Sequence, residues 1–364
     1  MKVIVFGSGR MAQTIAELMA GDARFETLLV SSNPDGTGQA EGMPPVQQRV
    51  CASSADLANL MIGADAIIMA GGSWSGTADI ARMARDAECH YLDVTENPAS
   101  TADIAEIARG ARQGFAPGCG LAPGYVTALV ADHLRGLGPE ALITAHVGVL
   151  PAERVNRLGY GNIWGVDGLL VEYTHPCLAI RAGQSVMLPP LDELEPVGIA
   201  GEQFESFTTA GSLDALVAQS VGRVGGLVFK TLRYPGHLDY IRLLLDDLGL
   251  SRNHRLLRSL LLNGLPRVEA DRVIIALDIQ RSPSQPMIRL EQTINAQRNT
   301  AGQWCSAGLA ATAAHVCAMA DLLCHEGLGQ SGLVAQGSVP LARLRRSPFF
   351  GPLHAEAMLP KREV

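Results

Sequence analysis

Five residues, Lys2-Val3-Ile4-Val5-Phe6, and the glycines that follow them narrow the fold of this chain more than any other stretch. The apolar run reads as a buried strand. It passes into Gly7-Ser8-Gly9-Arg10-Met11-Ala12, which opens a helical pattern from Met11 to Ala20. This is G-x-G-x-x-A at a strand-to-helix junction. The first glycine permits the tight turn, the second lets the backbone approach a pyrophosphate, and the small third position lets helix pack on strand. The phosphates would lie at the helix N-terminus, where free N–H groups and the helix dipole favour anions. A glycine turn without a ligand is the alternative, and the flanking strand and helix argue against it.

Strand and helix then alternate. Strands are expected at 27–30, 66–70, 90–95 and 114–116, with helices at 53–60, 77–87, 101–112 and 125–136. That order predicts an α/β chain with a Rossmann-type doubly wound parallel sheet. Ligands of such sheets sit at the carboxyl ends of the strands. Gly71-Gly72-Ser73-Trp74, Asp93–Glu96 and Gly120–Gly124 all fall there. Gly71, Gly72, Asp93 and Gly120 are therefore cofactor-side candidates. The second strand ends in Ser31-Ser32-Asn33, where an NAD enzyme commonly carries an acid for the ribose hydroxyl. With no acid, and with Arg10 in the first turn, NADP is mildly favoured and NAD is the alternative.

Beyond residue 136 the pattern changes. Runs at 141–149, 171–180, 204–209, 273–279 and 287–296 read as strands of a mixed sheet in a second α/β domain, with helices such as 238–249 and 253–262 covering one face. The expected division is 1–125 for the dinucleotide-binding domain, joined by a C-terminal helix and tail from about 305, and 126–304 for the substrate and dimerisation domain.

Composition excludes several functions. A net charge of −7 and 5% aromatic residues over 364 positions argue against a nucleic-acid or anionic-membrane surface. No apolar run is expected to reach spanning length, and no cleavable leader is expected before the first strand. Seven scattered cysteines read as free thiols of a cytoplasmic protein. His315, Cys317, Cys324 and His325 do not converge as ligands on one helix, so no metal is expected.

Lys230-Thr231-Leu232-Arg233-Tyr234-Pro235-Gly236-His237 gathers a guanidinium, a phenol, an imidazole and a forced turn. Pro235 fixes φ and Gly236 frees it, so a helix can start near His237. Arg233 and His237 could then share a cleft, with the guanidinium fork suited to a carboxylate. The plain alternative is a loop-to-helix junction with an ion-paired Arg and a capping His.

Gly7-Ser8-Gly9, Asp93-Val94-Thr95, Gly120-Leu121-Ala122-Pro123-Gly124, Glu172-Tyr173-Thr174, Phe204-Glu205-Ser206-Phe207 and Thr231–His237 occur together and in this order. In these the chain resembles the saccharopine dehydrogenase-like family, most closely its lysine 6-dehydrogenase branch. The resemblance implies a two-domain enzyme, commonly a homodimer through its second domain. It would pass hydride between NAD or NADP and an amine- or imine-bearing carbon of an amino acid. It also implies that Gly7, Gly9 and Ala12 face the pyrophosphate, that Asp93 and the 120–124 loop lie near the nicotinamide, and that Tyr173, Arg233 and His237 come from the substrate side. Ala122 stands where saccharopine reductases and carboxynorspermidine dehydrogenases usually show Asp, which lowers the case for those two reactions.

Hydride loss from an amine needs the neutral nitrogen, so a base is required. His237 is the first candidate for acid/base and Asp93 the second, with Asp93 alternatively binding the ammonium. Arg233 is assigned to the substrate carboxylate. Lys230 shares that role or is a surface lysine; Tyr173, Ala122 and Gly124 are further substrate-side candidates. The rival readings are reductive formation of a secondary amine and a non-catalytic dinucleotide sensor.

Overall fold

A computed structural model describes residues 1–33, 46–71, 76–95, 97–163, 165–299, 302–326, 331–353 and 359–361. The chain divides into two compact units: Met1–Asp132 with Arg298–Gln303 and Leu309–His354, and His133–Gln297 with Trp304–Gly308 and Ala355–Val364.

In the first unit, β1 (Lys2–Phe6), α1 (Arg10–Ala20), β2 (Glu26–Ser31), β3 (Gln47–Val50), α2 (Ser54–Met61), β4 (Ala66–Met69), α3 (Thr77–Asp86), β5 (His90–Asp93), α4 (Pro98–Ile107), β6 (Gly114–Ala116) and α5 (Tyr125–Leu134) follow in turn. The sheet runs β6-β5-β4-β1-β2-β3, with Gly332–Leu333 added beside β6, and every pairing is parallel. Strand order reverses between β1 and β4, which is where such sheets open a crevice. The strands are apolar on both faces because helices cover both: Ile4, Phe6, Ile67 and Tyr91 pack with Leu57 of α2, Ile80 of α3 and Ile104 of α4. Helix α4 starts three residues before its expected place. Asn97 caps it by accepting from Ala99 N, with Pro98 preset in the first turn.

The second unit carries the mixed sheet. Its elements are β7 (Leu142–Pro151), α6 (Val166–Thr174), β8 (Cys177–Arg181), β9 (Gln184–Leu188), β10 (Glu195–Ile199), β11 (Glu202–Thr208), α7 (Asp214–Ser220), β12 (Gly226–Arg233), α8 (His237–Arg242), α9 (His254–Gly264), β13 (Asp271–Gln280) and β14 (Ile288–Asn295). The order is β10-β11-β12-β7-β13-β14, then Leu359–Lys361, with β8 paired to β12 and β9 to β8. Only β12 and β7 run parallel among these neighbours. Phe207, Leu232 and Ile274 of the sheet pack with Leu169 and Leu170 of α6, Ile241 of α8 and Leu257 and Leu261 of α9.

Two expectations for this unit are corrected. Residues 171–180 are not one strand: α6 runs to Thr174, Pro176 forces His175 into an extended conformation (φ −103°, ψ 147°), and only then does β8 begin. His175 is thus an exposed helix-end residue rather than a strand histidine. Residues 230–233, which the plain alternative placed in a loop-to-helix junction, are the end of β12, buried throughout.

Helix 307–325 is long and apolar enough by length and composition to cross a bilayer, contrary to the expectation that no run reaches that length. In this structure 78% of its apolar window is buried within the protein, as in a core helix.

Candidate functional site

In the first unit the glycine turn has the form a dinucleotide needs. A Cβ on Gly7 would stand 2.9 Å from the Ala12 Cβ and 3.2 Å from the Ala70 carbonyl, so glycine and a small third residue are both required by the approach of α1 to β4. Gly9 has open space around it, and as N-cap of α1 it brings no capping side chain. Ser8, Gly9 and Arg10 are exposed, Met11 is half-buried and Ala12 buried. The result is a row of uncapped N–H groups at a positive helix end, which fits a pyrophosphate.

At the end of β2 the three polar residues divide. Ser31 is fully buried, its hydroxyl donating to the Asn33 carbonyl at 2.8 Å and accepting from Asn33 N at 2.9 Å. It shapes the turn and is not free to meet a 2′-phosphate, a correction to its expected role. Ser32 is half-buried and Asn33 exposed. Gly71 is exposed beside the turn; Gly72 and Trp74 lie outside the described residues.

Asp93 is 1% exposed. Its carboxylate accepts from Tyr91 Oη at 2.8 Å, Thr95 N at 2.9 Å and Gly118 N at 2.8 Å, tying the end of β5 to the loop after β6. Burial pushes its pKa up, opposed by the two backbone N–H groups and the phenol. With three donors on its carboxylate and no exposed edge, it is placed to hold the loop rather than to meet a substrate.

That loop closes on itself. Gly124 (φ +124°) approaches so closely that a Cβ would lie 2.0 Å from the Gly120 carbonyl oxygen. Gly120 is buried, and Ala122 and Pro123 form the half-exposed crest. Beneath it Gln336 donates to the Pro117 carbonyl at 2.8 Å and to Cys119 Sγ at 3.0 Å, while its own carbonyl faces His315 Nε2 at 2.9 Å. Burial holds Cys119 well above the usual thiol range and lowers His315 to about 4. Gln336 went unread in the sequence, and His315 was weighed only as a metal ligand, because both come from segments remote from the loop.

In the second unit the sequence-picked residues do meet. Helix α6 brings Tyr173, β12 brings Arg233, and the turn at Gly236 (φ +90°) sets His237 as the first residue of α8. Arg233 Nε donates to Tyr173 Oη at 2.8 Å, and Tyr173 Oη lies 2.8 Å from His237 Nε2. His237 Nδ1 is 2.9 Å from the Leu158 carbonyl, which can only accept. The partners therefore assign the proton to Nδ1 and leave Nε2 to accept from the phenol, giving one directed chain from guanidinium to carbonyl. Glu205 supports it by accepting from Gly236 N and Leu238 N.

The chain is closed to solvent. Arg233 is 2% exposed, Tyr173 3% and His237 0%. Arg233 Nη1 donates to Thr231 Oγ1 and the Leu232 carbonyl, and Nη2 pairs with Glu172 Oε2 at 3.2 Å. Its fork is engaged within the protein and offers no open pair of donors to a carboxylate. Burial, with the Arg233 guanidinium second, pushes His237 down to about 3, so the imidazole stays neutral at ordinary pH.

Lys230 does not join this group. It lies three positions before Arg233 on one strand, so the pleat points the two side chains to opposite faces. Its ammonium meets the Glu193 carbonyl and Glu195 Oε1, both at 2.8 Å.

A family model described as the saccharopine dehydrogenase C-terminal domain matches residues 120–354. The chain belongs to this family. Its fold is also that of saccharopine dehydrogenase (L-Glu forming) from Saccharomyces cerevisiae, with a TM-score of 0.73 over 97% of this chain and 96% of that one at 13% identity. A homospermidine synthase from Legionella pneumophila, solved in complex with NAD, gives a TM-score of 0.69 over 98% and 90% at 10% identity. At such identities the likeness establishes the fold alone. Membership of the saccharopine dehydrogenase family supports an oxidoreductase.

Proposed function

We propose that this protein is an NAD(P)-dependent oxidoreductase acting on a CH–NH2 or CH–NH group of an amino acid, most closely a lysine 6-dehydrogenase-like oxidation of a terminal amine. The observation that carries the reading is the family match over 120–354, on a chain whose first unit presents an uncapped glycine turn. In this reading Gly7, Ser8, Gly9 and the first turn of α1 hold the dinucleotide. When bound, the nicotinamide supplies a two-electron acceptor for the hydride. The protein holds the substrate amine, keeps it neutral and excludes water. Arg233, Tyr173 and His237 act in it as positioning residues, a sealed polar network that fixes the last turn of α6 against β12 and the start of α8. In the proposed oxidation the substrate ammonium first loses a proton to give the amine, the amine loses hydride to give the iminium, and water then gives aldehyde and ammonium.

Saccharopine-type reductive formation of a secondary amine is the second reading, favoured by the same family match and opposed by Ala122 in place of an acid. Following cofactor absorbance with NAD and with NADP tests both readings. Diamino acids and polyamines give signal under the first, and aldehyde or keto-acid plus amine pairs under the second. Binding of the cofactor with no turnover on either panel would reject both and leave a sensor.

A further inference from the structure

The buried chain in the second unit contains two carboxylates, and they differ. Glu205 uses both oxygens on backbone N–H groups of the 236–238 turn. Glu172 uses only Oε2, on Arg233 Nη2, and Oε1 has no partner among the described residues. Its side chain is 16% exposed against 3% for Arg233, so it is the least sealed member of the network. It sits in the last turn of α6, where the helix dipole places negative charge and favours a cationic visitor. Every other acid/base candidate named from the sequence is closed: His237 has both ring nitrogens engaged, and Asp93 has three donors on its carboxylate.

We infer that Glu172 Oε1 is the proton acceptor for the substrate amine. This rests on the oxidoreductase reading above. The substrate arrives as an ammonium. Its N–H bond breaks, an O–H bond forms at Oε1, and the nitrogen keeps the electron pair that later drives hydride loss. The guanidinium beside the carboxylate then favours the uncharged amine over the ammonium. Burial pushes the Glu172 carboxyl above its ordinary range, against the opposing pull of Arg233, which suits a group that must accept a proton.

Glu172→Gln tests this, because the amide keeps an oxygen for Arg233 Nη2 while removing the basicity and the negative charge. At pH 7.5 its kcat/KM for the amine should fall about 100-fold or more. The deficit should shrink as pH approaches about 10.4, where free amine is abundant without a base. Glu172→Asp should restore part of the activity. Wild-type kcat/KM in a folded Glu172→Gln protein at pH 7.5, or a deficit constant across pH, overturns the inference. Should Glu172→Gln fail to fold, the pH profile of Glu172→Asp is read instead: an unshifted acid limb in kcat/KM overturns it. Calorimetric binding of lysine and cadaverine to the wild type and Glu172→Gln, with NADP present, provides a readout apart from turnover. Binding weakened tenfold or more in the variant supports the site, and equal or absent binding in both rejects it. A wild type that binds amine through Glu172 yet turns none over would reject the oxidoreductase reading while leaving the site in place.

Discussion

Tyr173 Oη lies 2.8 Å from His237 Nε2 and receives Arg233 Nε–H at the same distance, so one hydroxyl joins a helix, a strand and a turn. Removing it leaves a guanidinium N–H and an imidazole nitrogen buried without partners. Each such group costs about 1–3 kcal/mol. Tyr173→Phe is therefore expected to lower unfolding free energy by about 2–4 kcal/mol, measured by urea denaturation; a loss under 0.5 kcal/mol would show that the chain is not what holds α6 to β12.

His237 makes stability depend on pH in a stated direction. Its native pKa, about 3, is below the unfolded value of 6.5, so between those values the unfolded state binds a proton that the native state refuses. The contribution is present above pH 6.5 and is lost as pH falls toward 3. Relative to wild type, His237→Asn should flatten the slope of unfolding free energy in that window by up to about 1.4 kcal/mol per pH unit. Its kcat/KM profile should keep the wild-type limbs across the neutral range. A limb near pH 6.5 that disappears in the variant would return the imidazole to the acid/base role.

The glycines separate folding from binding. Gly9→Ala meets nothing within 4 Å and needs no positive φ, so folding should be unchanged while the dinucleotide dissociation constant rises about tenfold or more. Gly124→Ala drives a Cβ into the Gly120 backbone and should give insoluble or strongly destabilised protein. Fluorescence titration with NADPH and thermal melts read the two effects. Unaltered cofactor affinity in Gly9→Ala would remove the turn from cofactor binding.

Lys230 tests the pleat. Lys230→Met should leave KM for the amine within about twofold, because the ammonium faces Glu193 and Glu195 across the sheet from Arg233. The variant should cost on the order of 1 kcal/mol of stability through the broken ion pairs. A tenfold rise in KM would place Lys230 on the substrate side after all.

The sequence alone determined the first unit well, because its signals are local. Strand, glycine turn and helix follow within twenty residues, apolar runs of four or five mark strands buried on both faces, and Gly7 and Ala12 state their steric reason in their own identities. It also gathered Tyr173, Arg233 and His237 correctly as a set, through motifs in the order of the family. Their chemistry was decided only by the tertiary structure. A free imidazole and an open guanidinium fork are properties of residue types; whether they stay free depends on what folding seals around them, here the Leu158 carbonyl, Thr231 Oγ1 and the phenol. The sheet likewise parted Lys230 from Arg233, since alternation acts only once the segment is known to be a strand. Glu172 stood unassigned beside Tyr173 for the same reason: which of several carboxylates keeps an open oxygen is a matter of partners contributed from distant parts of the chain.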